Sequence, residues 1–389
     1  MNRDRELIDF TRELIALPSP SGGEGEAQRL IAREMDRLGW EDIRLDRLGN
    51  LHGRIGSGER ILALDGHTDT VGPGQRSDWT CDPFRGKEEA GWIWGRGAVD
   101  QKGGLAAAVH AGRLLREAGV PGGFTLYLAA TVQEEDCEGL SWDWLIEEEG
   151  LRPGAVVLTE PTDLKIARGQ LGHAMFEVTV RGRSAHAFCP EAGENAIYRA
   201  AGLAGEIERL APRLASHPVF GRGRIAVTRI AGRGPSGNSV PDLCRLLIDR
   251  RFCPGETEEG LIAEIRNLLP GEDCDITVPL YRRRSFTGLT RERKKFFPGW
   301  LLDESSPLLG AAGRALAGLG APAAVGTWSF STNGTSTMGR HGIPTIGFGP
   351  GREEMAHRPD ERLPVGQLLA ARDFYFALAR EYSMDPENL

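Results

Sequence analysis

No CxxC pair, no internal repeat, no low-complexity tract and no apolar run near the roughly 18 residues of a membrane span occur in this 389-residue chain. The opening MNRDRELIDF is charged and carries no apolar leader. Six cysteines (81, 137, 189, 244, 253 and 274) lie scattered, the distribution of reduced thiols, and set the expectation of a cytoplasmic protein. Excess positive charge is missing as well. Lys and Arg number 47 against 55 Asp and Glu, and the net charge of −8 speaks against nucleic acid or an anionic membrane as the main partner.

What is present is an ordinary globular composition in a chain long enough for two domains. RELIDFTRELIALPSPSGGEGEAQRLIAREMDRLGW holds two amphipathic helix patterns split by a Pro/Ser/Gly turn. Apolar strands in ILALDGH, FTLYLAAT and AVVLTEP alternate with helical GGLAAAVHAGRLLREAG and SWDWLIEEEG. That rhythm predicts an α/β fold, a mixed sheet between helical layers. Near residue 172 the pattern changes. HAMFEVTVRG, AIYRAAGLAGEIERL, GRIAVTRIAG, CRLLIDRRF, EEGLIAEIRNLL and CDITVPL read as strand, helix, strand, strand, helix, strand, the order of a ferredoxin-like βαββαβ unit. SSPLLGAAGRALAGLG, IPTIGFGPG and GQLLAARDFYFALAREY then resume the first rhythm. The expectation is a discontinuous domain, 1–171 and 283–389, interrupted by an inserted unit, 172–282. A basic stretch at the return, YRRRSF and RERKKFF, reads as a solvated face or an interdomain contact.

Several apolar strands or loops end in acids or histidine: LALDGHTD, GRGAVDQKGG, TVQEED, VVLTEPTD and GFGPGREEMAHRPDE. Singly, each has a plain reading. Asp100 suits a helix N-cap, and Glu134 and Glu135 suit a solvated loop. Together they bring carboxylates and imidazoles to the carboxyl edge of one sheet, where α/β proteins place their chemistry. Such a concentration of negative charge calls for a cation. His and carboxylate donors without Cys suit Zn²⁺, with Co²⁺ or Mn²⁺ as alternatives, and they suffice for two ions sharing one bridging Asp. On this reading His67 is a metal ligand and Asp69 orients its imidazole.

DGHTDTV, GRGAVDQKGG, QEED, TEPTD, GRSAHAFCPEAGENAI, NSVPD with IDRRF, and AHRPDE occur in the order found in the co-catalytic zinc aminoacylase/carboxypeptidase family. This family includes acetylornithine deacetylase, succinyl-diaminopimelate desuccinylase and carboxypeptidase G. The resemblance covers essentially the whole chain, and is closer still to a bacterial branch of selenium-metabolism-linked hydrolases. It implies that His67 and Glu160 hold one metal ion, Glu135 and His357 the other, and Asp100 bridges them. Glu134 would be the general base. His186, in the inserted lid and dimerisation domain, would reach the partner's active site in a homodimer and stabilise the oxyanion. Asn238 and Arg251 match positions that bind a substrate carboxylate or carbonyl, and an Arg fork suits a carboxylate. Asn333, Gly334 and Thr335 occupy the place of a substrate-contacting loop, although relatives often carry an acid where this chain has Thr337. The implied activity is hydrolysis of a linear amide, either a peptide bond or an N-acyl amino acid. Hydrolysis of a different C–N bond, cyclic amide or carbamoyl, stays open at this level. A non-catalytic binding paralogue would be expected to have lost a ligand or the base, and every position is filled.

Overall fold

The computed structural model describes residues 2–268 and 274–384. Among these, nine strands form a central mixed sheet. Its order is Glu41–Leu45, Leu51–Gly56, Phe124–Thr131, Arg60–His67, Ala155–Leu158, Thr345–Gly347, Ile166–Gln170 and Trp300–Leu301, with Val325–Trp328 parallel to Ile166–Gln170. The four middle strands, Phe124–Thr131 to Thr345–Gly347, are parallel to one another. Their carboxyl ends therefore emerge along one edge. Leu62, Leu64, Leu126, Leu128, Val156 and Val157 are all buried, as continuous apolar runs in a sheet covered on both faces must be. Helices Gly103–Ala118, Pro307–Gly318 and Val365–Met384 pack together with Arg3–Ile15 and Gly25–Leu38. Leu140–Glu147 packs apart from these, on the short helix Gly334–Thr337.

A second, antiparallel sheet runs in the order Arg224–Arg233, Leu243–Phe252, Gly172–Arg181, Cys274–Thr277. That is the ferredoxin-like order read from the sequence. Gly172–Arg181 alternates buried and part-exposed residues, turning Ala174, Phe176, Val178 and Val180 inward. They join Leu203, Ile207, Leu246, Ile248 and Leu261 in an apolar cluster separate from the main core. Helix Ala196–Leu210 is capped by Asn195, whose side chain accepts from the Ile197 N–H at 2.9 Å, and Glu258–Arg266 is capped by Thr257.

Only Leu171 separates a strand of the central sheet from one of the second. The return is less abrupt than an end at 282. Phe296 and Phe297 still pair with Ala174 and His173, and the central sheet resumes at Trp300 opposite Gln170. Ahead of this return the basic stretch forms a strap. Thr287 donates to the Arg47 carbonyl at 2.7 Å, Arg293 pairs with buried Asp143 at 2.6 Å, and the Arg291 guanidinium lies over Trp144. No helix among the described residues is long and apolar enough to cross a membrane.

Helix Gly103–Ala118 lies so close to the strand end before Glu160 that a Cβ on Gly104 would stand 2.2 Å from the Thr159 carbonyl oxygen. Alanine would gain about 1 kcal/mol in helix propensity, but the backbone carbonyl cannot yield as a flexible side chain would, so the clash wins. Gly104→Ala is expected to lose about 1–3 kcal/mol net, read by urea unfolding. Unchanged or higher stability would contradict this packing.

Candidate metal centre

Each polar residue of the centre is delivered by the end of an element. His67 ends strand Arg60–His67, Glu134 and Glu135 follow Phe124–Thr131, and Glu160 follows Ala155–Leu158. Asp100 sits where the backbone leaves helical geometry just before helix Gly103–Ala118. His357 lies beyond Thr345–Gly347, in the left-handed region with φ 61°, which few non-glycine residues adopt.

Asp100 stands between the two histidines. Its Oδ1 is 2.9 Å from His67 Nε2 and its Oδ2 is 3.1 Å from His357 Nε2. His357 Nε2 is also 3.0 Å from Glu135 Oε2. His67 Nε2 lies 3.7 Å from Glu160 Oε1 and 3.9 Å from Glu134 Oε2. The halves differ in exposure, with 1% of the His67 side chain accessible and 51% of that of His357.

Electrostatically the cluster is short of positive charge. Burial, reinforced by neighbouring carboxylates, pushes the carboxyls of Glu134, Glu135 and Glu160 up. Asp100 is the exception: burial would raise it, but hydrogen bonds from His357 and His67 hold it far below the usual range. His357 is pushed up to about 10, chiefly by its hydrogen bonds to Asp100 and Glu135. Glu134 Oε1 and Glu160 Oε2 are buried with no hydrogen-bond partner among the described residues. Buried carboxylate oxygens are costly unless something positive meets them. An all-N/O donor set with two orphaned oxygens fits divalent cations. A third acid–histidine cluster, Asp143, Glu147 and His341, does not make the same case. Arg293 and Arg340 already neutralise Asp143 at 2.6 and 3.0 Å.

Asp69 requires a correction. It does hold His67, but through its backbone carbonyl, 2.8 Å from Nδ1, while its carboxylate is 3.6 Å away. A carbonyl only accepts, so Nδ1 carries the proton and Nε2 is turned toward Asp100. The Asp69 carboxylate instead accepts from the Glu134 and Glu135 N–H groups, at 3.1 Å each, and from Ser21 Oγ at 2.6 Å.

A cavity of about 420 Å³ opens over the centre, lined by Asp100, Glu134, Glu135, Glu160 and His357, and by Arg251 from the second sheet. Asp249 fixes the Arg251 fork with contacts of 2.9 and 3.3 Å, and is itself met by His173 at 3.1 Å. Hydrogen bonds from His173 and Arg251, against burial, bring Asp249 down to about 2. Asn333, Gly334 and Thr335 are not brought to the cavity. All three are buried; Asn333 donates to Asp65 at 3.0 Å and accepts from the Gly139 N–H at 2.8 Å, while a Cβ on Gly334 would strike Trp300. Ser329, Phe330 and Ser331 line the cavity in their stead. His186 and Asn238 are exposed and adjacent to each other, with the Ala187 N–H donating to the Asn238 carbonyl at 2.8 Å, but neither lines the cavity.

Glu361 and its partner Arg96 escaped the sequence reading. Glu361 is fully buried, pairs with Arg96 at 2.6 Å, and accepts from the Val99 and Asp100 N–H groups at 2.8 and 3.1 Å, so it holds the backbone at Asp100. The signal was in view as the last acid of AHRPDE, four residues past His357.

A family profile described as peptidase family M20/M25/M40 matches residues 63–381. The uncharacterized protein YgeY of Escherichia coli K12 is 41% identical over 376 residues, 96% of this chain and 93% of its own. The succinyl-diaminopimelate desuccinylase of Cereibacter sphaeroides KD131 is 30% identical over 395 residues, 96% of this chain and 98% of its own. The crystal structure of the Bacillus cereus aminopeptidase PepT is similar in fold, with a TM-score of 0.75 over 97% of this chain and 98% of that one, at 22% identity. Matched over most of its length, the chain belongs to peptidase family M20/M25/M40.

Proposed function

We propose that the protein is a metal-dependent hydrolase that cleaves a linear amide, a peptide bond or an N-acyl amino acid, with water as the nucleophile. One observation carries the reading: a single buried carboxylate, Asp100, presents one oxygen to each of two histidines at the floor of an open cavity. His67 and Glu160 on one side, and Glu135 and His357 on the other, with Asp100 between, would hold two divalent ions (Zn²⁺, or Co²⁺ or Mn²⁺), which would supply the charge to acidify a water and polarise a carbonyl. Glu134 lines the cavity with an unpartnered oxygen and is placed to act as the base. It takes a proton from the water as the new C–O bond forms and returns it to the nitrogen as the C–N bond breaks, leaving a carboxylic acid and an amine. Arg251, fixed by Asp249, suits a substrate carboxylate. The desuccinylase among the relatives supports amide cleavage as the reaction class.

The second sheet, expected as 172–282 and here extended by the pairing at Phe296 and Phe297, is proposed as a lid and dimerisation domain. Strand Arg224–Arg233 is an unpaired edge among the described residues, and Ile230, Tyr198 and Phe188 are 48%, 76% and 86% exposed. Long exposed edges invite pairing with a second copy. In such a homodimer His186 and Asn238 reach the partner's cavity, His186 as an oxyanion donor and Asn238 as a substrate contact.

Three outcomes are expected with a panel of N-acyl amino acids and dipeptides. Chelation with EDTA abolishes turnover and added Zn²⁺, Co²⁺ or Mn²⁺ restores it; activity indifferent to chelation would contradict the metal centre. Glu134→Ala lowers kcat by about 10²–10⁴-fold with metal content unchanged by mass spectrometry, and a wild-type kcat would remove Glu134 as the base. His186→Ala lowers kcat by about 10²-fold while sedimentation still reports a dimer; unchanged kcat would take His186 out of the reaction.

A further inference from the structure

The segment PSPSGGEG reads in sequence as a turn between two helices, yet it reaches the metal centre from beneath. Glu24 occupies the N-cap position of helix Gly25–Leu38, but its side chain makes no capping hydrogen bond. The carboxylate is fully buried and turned the other way. Its Oε1 accepts from the Gly22 N–H at 2.8 Å and from the Gln133 N–H at 3.1 Å. The next two amides, Glu134 and Glu135, end on the Asp69 carboxylate, which Ser21 in turn supports. Three consecutive N–H groups are thus held by two buried carboxylates.

The turn so held is an unusual one. Gln133 has φ 59°, a conformation that few non-glycine residues adopt unless their surroundings impose it. This twist lets adjacent side chains part. Glu135 Oε1 accepts from the Val71 N–H at 3.2 Å while Oε2 meets His357, and Glu134 keeps one oxygen without a partner at the cavity. Without an acceptor the buried Gln133 N–H would be left unpaired, which disfavours the twisted turn. The same helix secures the strand just before it, as Gln28 donates to the Ala130 carbonyl at 2.8 Å.

We infer that Glu24 is a positioning residue for the Glu134–Glu135 pair, its carboxylate oxygen fixing the Gln133 amide and with it the turn that separates base from ligand. The inference rests on the reading of Glu134 as the base and of Glu135 as a metal ligand. Glutamine at position 24 keeps an oxygen acceptor of the same reach, and alanine removes it.

Hydrogen–deuterium exchange of the peptide spanning residues 132–136, together with kinetics at saturating Zn²⁺ on the same substrate panel, tests it. For Glu24→Ala the peptide exchanges about tenfold faster or more, and kcat falls by about 100-fold with KM nearly unchanged. Glu24→Gln restores both exchange protection and kcat. Exchange as slow in Glu24→Ala as in the wild type, or failure of Glu24→Gln to restore, overturns the inference. Should Glu24→Ala not fold, Glu24→Asp, one methylene short of the Gln133 amide, takes its place with the same expected outcomes. A wild-type protein that cleaves no amide in the panel would instead undo the proposed function, while the exchange comparison would still decide the role of Glu24.

Discussion

One carboxylate between two imidazoles is the constraint that organises this protein. Asp100 gives an oxygen to each of His67 and His357, and much of the surrounding structure keeps it there. Glu361, tied to Arg96, holds its amide, and Gly104 lets the following helix press against the strand end that carries Glu160. Removing one partner of a buried ion pair costs about 3–5 kcal/mol, so a cluster of four buried carboxylates and two histidines is tolerable only if positive charge is concentrated on it. The parallel strands make that concentration geometrically cheap, since they bring their ends to one edge with no long loops.

From this centre outward the surroundings change character. His67 is sealed in, while His357 sits half in solvent at the mouth of the cavity. The inner half is fixed by backbone groups, the Asp69 carbonyl above all, and the outer half by a loop in a left-handed turn. The second sheet also contributes to the cavity. Its Arg251 reaches the cavity within one chain, and the neighbouring Glu138–His173 contact of 3.5 Å links the two sheets at the same rim. The acid–histidine cluster and Arg251 therefore sit on different sheets, joined by Leu171 on one side and by the strap on the other.

Much of this was legible in the sequence because the strong signals coincide. Buried parallel strands are continuous apolar runs, and the proposed ligands stand at or beyond their ends, or, for Asp100, just before a helix start. The second sheet was legible from its in–out alternation and element order. Some elements of three or four residues were not: Lys87–Glu89, Trp92–Trp94 and Arg362–Pro364 make a small separate sheet, and Val325–Trp328 adds to the central one, but these segments are too short to show a period. The return boundary was read too early because the strap carries no pattern of its own. At the centre, spacing cannot tell whether Asp69 meets His67 with its carboxylate or with its carbonyl. Asn333–Thr335 were expected as substrate contacts from the family resemblance alone. Asn333 is instead the buried partner of Asp65, 268 residues away, a pairing only the fold creates. Glu24 was hidden for a similar reason, in a turn that reads as punctuation.

Anomalous diffraction from crystals grown with Zn²⁺ or Co²⁺ tests the central claim most directly. The account predicts two metal peaks per chain, one beside each Asp100 oxygen at about 2.0–2.2 Å, the first also touching His67 and the second His357. A single peak, or a pair that does not share Asp100, would contradict it.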